Sequence, residues 1–138
     1  MKNAEVVVST GYPRDHDLRY SRQGFWPLAS SNGAAKILVA SGDEGVGYHR
    51  LGIVNARQKR QAENRERENL AIPQKSEAPD YLLFSQAVGP AEVQDIHPQA
   101  ELVASWNSAR EILEDQFRGQ KPTVAVYPSS AIAYPANA

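Results

Sequence analysis

Five short aliphatic runs decide what this chain can fold into. They are Val6–Ser9, Lys36–Ala40, Tyr81–Ser85, Leu102–Ala104 and Thr123–Tyr127. Each is mostly β-branched or aliphatic and is bounded by Gly, Pro, Ser or Asp, as strands are. Apolar residues follow one another without strict alternation, the pattern of strands covered on both faces. The segments between them are long enough for crossover helices. The expected fold is α/β, a Rossmann-like three-layer sandwich with a mostly parallel sheet of about five strands.

Sheets of this kind hold ligands outside the carboxyl ends of their strands. The first two runs both end in turns rich in glycine and charge, Gly11–Asp17 and Gly42–Arg50. In the first, backbone N–H groups ahead of a helix start stand beside Arg14, with Arg19 and Arg22 one turn on. That grouping suits a phosphate or carboxylate. Asp15 and Asp17 place negative charge in the same turn, and Asp17 serves equally well as a helix cap. The second turn has the glycines for close backbone approach. Its spacing is GxxGxG with no Lys-Ser/Thr after it, which excludes the dinucleotide fingerprint and the P-loop. Glu44 and His49 have acid–base chemistry but no partner identifiable from sequence. His16, His49 and His97 match no zinc spacing. His97, before Pro98, reads as a surface loop residue, while His16 and His49 face each other if the two exits are adjacent.

The first helix is expected from Asp17 to about Phe25. Pro27 then demands a break at Trp26, which it pushes out of the α region, and a short turn follows over Leu28–Ser31. The strongest helix is Trp106–Arg118, with Trp106, Ala109, Ile112, Leu113 and Phe117 on one stripe. Ser105 caps its start, Gly119 supplies the left-handed stop and Pro122 blocks continuation. Trp106 is expected to pack in the core or at its edge. Ala56–Leu70 is almost wholly polar, with helical pairs such as Arg60–Glu63 and Glu63–Arg67. It reads as a solvated helix, with a lid or docking surface as the functional alternatives. With Ala71–Pro79 it forms a polar helix and flexible linker, 56–79, inside one domain, 1–138. The tail after Tyr127 is expected to be extended and partly frayed.

With 41% hydrophobic and 22% charged residues, the 138-residue chain has an ordinary globular composition. A net charge of −1 gives no pull towards nucleic acid, and the basic residues of Ala56–Leu70 lack the interleaved aromatics of a nucleic-acid groove. There is no cysteine, and no apolar run has the length of a signal peptide or a membrane span. The expected setting is cytoplasmic, with no membrane partner. Because a strand begins almost at residue 1, the chain is expected to be a domain of a longer polypeptide.

The string Glu5–Leu18, with Val-Val-Val-Ser-Thr-Gly-Tyr-Pro-Arg-Asp-His-Asp-Leu, resembles the start of the C-terminal domain of the nickel-dependent lactate racemase family. The resemblance continues through Lys36-Ile-Leu-Val-Ala and the Glu44-Gly-Val-Gly turn, and returns at Thr123-Val-Ala-Val-Tyr-Pro. It implies an isomerase of two domains, a racemase or epimerase of 2-hydroxy acids. In that family an N-terminal domain anchors a nickel-pincer nucleotide and supplies the catalytic histidines. This chain would then bind neither metal nor cofactor alone and would be inert when isolated. Its partners would be that N-terminal domain and a small anionic substrate.

The family's helix after the Gly-Tyr-Pro turn typically carries Tyr-Gln and, three residues on, Lys. Arg19, Tyr20 and Gln23 stand at those positions here, so the glutamine and the lysine are both replaced. Arg19 or Arg22 offers a substitute cation, and Arg does not reproduce Lys geometry. A related 2-hydroxy acid or another chemistry is therefore as compatible as lactate. The expected contacts to substrate or cofactor are Tyr12, Arg14, Asp15, Arg19, Tyr20 and Arg22 from the first exit. Gln23, Glu44, Gly45 and His49 complete the set. Their roles are orientation and anion neutralisation, with no catalytic group among them. Two other classes stay open: a freestanding module that binds an anionic metabolite or a protein, and an interaction domain built on Ala56–Leu70. An excised half should expose an apolar patch near Tyr12, Tyr20 and Trp26.

Overall fold

Every one of the five aliphatic runs forms a strand in the computed structural model, which describes residues 4–46 and 78–132. The strands are β1 (Val6–Thr10), β2 (Ala35–Val39), β3 (Tyr81–Phe84), β4 (Ala100–Val103) and β5 (Val124–Tyr127). A 3₁₀ helix, Tyr20–Phe25, and α1, Trp26–Ala29, join β1 to β2; α2, Pro90–Ile96, joins β3 to β4; and α3, Trp106–Phe117, joins β4 to β5. All pairings are parallel and the strand order is β4-β3-β2-β1-β5. The chain steps outward from β1 to β4, then returns across the sheet to place β5 on the far side of β1.

That reversal decides which helix lies on which face. Right-handed crossovers put connections running in opposite directions on opposite faces. Accordingly, Leu28 of α1 and Val93 and Ile96 of α2 pack with Val7, Leu38 and Leu83 on one face. Ala109, Ile112 and Leu113 of α3 pack with Ile37, Leu82 and Val103 on the other. The result is the expected Rossmann-like three-layer sandwich. Among the described residues, no helix is long and apolar enough to cross a membrane.

The strongest predicted helix ends as expected. Ser105 Oγ accepts from Ser108 N at 3.0 Å, and the left-handed stop spans both Arg118 (φ 51°) and Gly119 (φ 75°). Trp106 takes the edge position: it stacks on Phe84 at 4.4 Å and leaves 51% of itself exposed.

The first helix departs from expectation. It starts at Tyr20 as a 3₁₀ helix, and Trp26 (φ −58°, ψ −36°) stays in the α region. The expected break at Trp26 is absent because Pro27 falls in the first turn of α1, where its missing N–H has no intrahelical partner to lose. Asp17 instead caps the preceding turn, its Oδ1 accepting from Arg19 N at 2.9 Å.

A second correction concerns the chain after Tyr127. Residues 128–132 turn back onto the sheet rather than fray, burying Ser130 and Ala131. Thr10 Oγ1 donates to Pro128 O at 2.7 Å, and Trp26 Nε1 donates to Ser130 O at 2.9 Å. Trp26 also packs edge-on against Tyr127, 5.6 Å between ring centres. The segment Ala56–Leu70, linker residues 71–77 and the last six residues, 133–138, lie outside the described residues.

Gly24 fixes how the 3₁₀ helix meets β1. A Cβ there would strike the Thr10 carbonyl oxygen, and would lie 2.8 Å from the Thr10 carbonyl carbon and 3.0 Å from Gly11 Cα, all of it backbone. Ser9 Oγ, fully buried, donates to the Gly24 carbonyl across the same contact. Gly24→Ala should therefore lower stability by about 2–3 kcal/mol, the cost of forcing an extra methyl into a packed interior. Chemical denaturation checks this, and a change below about 0.5 kcal/mol would contradict the contact.

Candidate functional site

Because β1 and β2 are hydrogen-bonded neighbours, the turns that leave them are built against each other. Gly11 N donates to Val39 O at 3.0 Å, Gly42 N to Asp15 O at 2.8 Å, Glu44 N to His16 O at 2.9 Å and Leu18 N to Gly45 O at 2.9 Å. Asp15 adds a side-chain tie, its Oδ2 accepting from Ser41 N at 3.0 Å. Gly42 sits at φ 63°, and a Cβ there would come within 2.5 Å of Val88 Cγ1. Ser85 Oγ, from the exit of β3, donates to Ser41 O at 2.9 Å and extends the edge by one strand.

These ties change the electrostatic reading of the first turn. The N–H groups of Arg14, Leu18, Arg19 and Tyr20 are all engaged within the protein, so they form no free anion cradle. The positive character of the edge comes from guanidinium groups instead. Arg14 Nη1 donates to Gln23 Oε1 at 3.1 Å on the surface. Arg22 is exposed. Arg19 is half-buried, and its Nε and Nη1 are buried without any hydrogen-bond partner. Among the described residues, none of these three arginines forms an ion pair. Buried donors are satisfied in the great majority of native structures, so each exception asks for an explanation, an absent ion included.

The remaining candidates fall into place around that edge. Tyr12 projects from it, 59% exposed. Tyr20 is half-buried, and Glu44 stands 4.0 Å from His16 Nε2 on the surface. Asp15 and Gly45 hold the two turns together, through the bonds just described. His49 lies outside the described residues.

The strand order adds a region that no motif marked. Connections diverge to opposite faces between β1 and β5, which makes their carboxyl ends the switch point where open α/β sheets form a crevice. Gly11 and Tyr12 border it on one side and Pro128 to Ser130 on the other. A strand order is a long-range property, so only the Thr123–Tyr127 run itself was visible in the sequence.

His97 is not a surface residue. It ends α2 with its N–H donating to Val93 O at 2.7 Å, and it is 2% exposed. Tyr81 Oη lies 2.6 Å from His97 Nδ1, and His97 Nε2 lies 3.0 Å from Ser21 Oγ and 3.3 Å from Leu18 O. Ser21 Oγ donates to Leu18 O at 2.6 Å. Burial holds the His97 pKa below its ordinary 6.5, assisted by the Arg22 charge and opposed by the bond to Leu18. Burial also pushes the Tyr81 hydroxyl up to about 12, against the lowering effect of Arg22.

Among the described residues, no three His, Cys, Asp or Glu side chains stand together as a metal-ligand set. The donors among the described residues do not fit a nickel site. A groove of about 420 Å³ lies at the opposite, amino-terminal end of the sheet, between α3 and residues such as Ala35, Leu82 and Glu101. No protein-family model matches the sequence, and no curated protein matches it significantly.

The Asp15 tie predicts a specific loss. Asp15→Ala removes the acceptor for Ser41 N, a charge-assisted but exposed bond, and should cost about 1–2 kcal/mol. Amide exchange at Ser41 and Gly42 should speed up more than exchange in β1. Unchanged exchange at Ser41 would show that the carboxylate does not hold the turn.

Proposed function

We propose that this chain is the cleft-closing half of a 2-hydroxy acid racemase or epimerase similar to the nickel-dependent lactate racemases, and that its β1 and β2 exits receive a small anionic substrate. The observation that carries the reading is Arg19, whose Nε and Nη1 are buried without a partner. A carboxylate, which accepts hydrogen bonds and carries the opposite charge, is the natural complement of a guanidinium with unspent donors. Arg19 also stands where the resemblance expects a substrate-facing residue. Arg14 and Arg22 add charge along the same edge, and Tyr12 offers an exposed ring and hydroxyl beside them. Their work is binding and orientation; the hydrogen-transfer groups and the nickel cofactor would belong to the other domain.

A second reading, a freestanding anion-binding module, draws support from Trp26. Its packing on Tyr127 and its bond to Ser130 O reduce the apolar patch expected of an excised half to Tyr12. The exposed aliphatic side chains lie elsewhere, at Val124, Val126 and Ile132.

The test uses the native polypeptide and follows interconversion of the enantiomers of a panel of 2-hydroxy acids. Arg19→Ala should raise KM by about 10- to 100-fold, the loss of one charge-assisted pair, and Arg19→Lys should recover only part of it. Unchanged turnover and affinity in Arg19→Ala would overturn the assignment. Anion-dependent thermal stabilisation without any interconversion would favour the freestanding module.

A further inference from the structure

The best-built polar cluster in the molecule lies behind the strand exits, not in them. His97, Tyr81 and Ser21 are respectively 2%, 6% and 0% exposed. They join three elements: the carboxyl end of α2, the start of β3, and the first turn of the 3₁₀ helix. Hydrogen-bond counting fixes the ring's tautomer. Leu18 O can only accept, so the Nε2 that faces it at 3.3 Å, with Ser21 Oγ at 3.0 Å, carries the ring proton, and Nδ1 is left to accept from Tyr81 O–H. Ser21 spends its own proton on Leu18 O. Every donor in the chain is used once, and the series ends on the backbone of the residue next to Arg19.

We propose that His97 is an acid-sensitive latch: its neutral imidazole holds the Leu18–Arg22 segment in place, and protonation at Nδ1 releases that segment together with Arg19 and Arg22. The inference goes beyond the substrate reading and does not require it. Adding a proton to Nδ1 sets N–H against the Tyr81 O–H across a 2.6 Å contact. The hydroxyl must then turn away and leave its hydrogen unpaired in a buried site, which folded proteins avoid. The Nε2–H bond to Leu18 O favours the charged ring, but burial outweighs it, and the charged groups around the ring do not offset the lost Tyr81 bond. Arg22, from the 3₁₀ helix, opposes a second positive charge. Asp80, at the start of β3, is exposed and acts on Tyr81. On α2 itself, Glu92 is engaged by Gly89 N at 2.8 Å and Asp95 is exposed. Among the described residues, no carboxylate is ion-paired to His97.

The sign follows from proton counting. The opened segment leaves His97 free to take up a proton near its ordinary 6.5, and the closed segment resists it. Opening therefore gains one proton, and acid favours it below about pH 6.5. The limiting slope for one proton is about tenfold in the opening constant per pH unit.

Hydrogen exchange on the whole chain between pH 7.5 and 5, corrected for the intrinsic pH dependence of exchange, tests this. In the unaltered protein, opening at Ser21 to Phe25 should grow with acid towards that slope, while Leu38 and Leu83 follow only weakly. His97→Gln can still donate to Ser21 but cannot titrate, and should abolish the acid dependence. Should that variant fail to fold, the ring resonances of His97 in the unaltered protein decide. They should titrate below the ordinary imidazole value of 6.5, together with the exchange of Ser21. Acid-independent opening, dependence that survives His97→Gln, or a His97 that titrates without Ser21 would each overturn the latch.

Discussion

The backbone of Gly24 lies directly on the exit of β1, and the candidate site depends on that contact. Ser9, fully buried in β1, donates to the Gly24 carbonyl and shares a 2.7 Å hydrogen bond with Ser130 Oγ. One strand residue thereby ties the helix that leaves β1 to the turn that follows β5. The bonds replace water for groups that would otherwise be buried unpaired, so losing any one exposes its partner to a desolvation cost of about 1–3 kcal/mol. With the 3₁₀ helix pinned there, Arg19 and Arg22 emerge beside the turns of β1 and β2. A side chain in place of Gly24 would displace all of this at once.

The electrostatic consequence is an edge where many backbone donors are engaged within the protein while Arg19 Nε and Nη1 are not. The two turns are bonded to each other through Asp15, His16, Gly42 and Gly45, which gives the edge rigidity at the expense of free N–H groups. Arg14, Arg19 and Arg22 carry the positive potential. Two buried guanidinium nitrogens without an acceptor carry a desolvation cost, and an anion within their reach would relieve it. On the proposed reading this edge binds and orients an anion and transfers no proton.

Much of the fold was legible because it is local. Continuous aliphatic runs marked all five strands, and Ser105 and Gly119 bracketed the long helix. The adjacency of the two turns followed from consecutive strands being neighbours. What escaped depended on distant residues. His97 looks exposed beside Pro98, yet Tyr81, sixteen positions away, and Ser21, seventy-six away, draw it inside. Residues 128–132 read as a tail because the partners that hold them, Thr10 and Trp26, lie at the other end of the chain. Pro27 read as a break because its place in the first turn of a new helix depends on where the 3₁₀ helix stops. The substrate-facing candidates were named by residue type, and type alone did not separate Asp15, whose carboxylate is tied to Ser41, from Arg19, whose Nε and Nη1 have no hydrogen-bond partner.

The central claim is that the unpartnered Arg19 marks an anion-binding edge. A nuclear magnetic resonance titration of the chain with a simple 2-hydroxycarboxylate, observing backbone amides and the Arg19 Nε–H together, tests it most directly. The account predicts a saturable shift of the Arg19 Nε–H, with amide shifts gathered in residues 11–23 and 41–45. An Arg19 signal that stays fixed while shifts gather around Glu101 and Leu113, or nowhere, would contradict it.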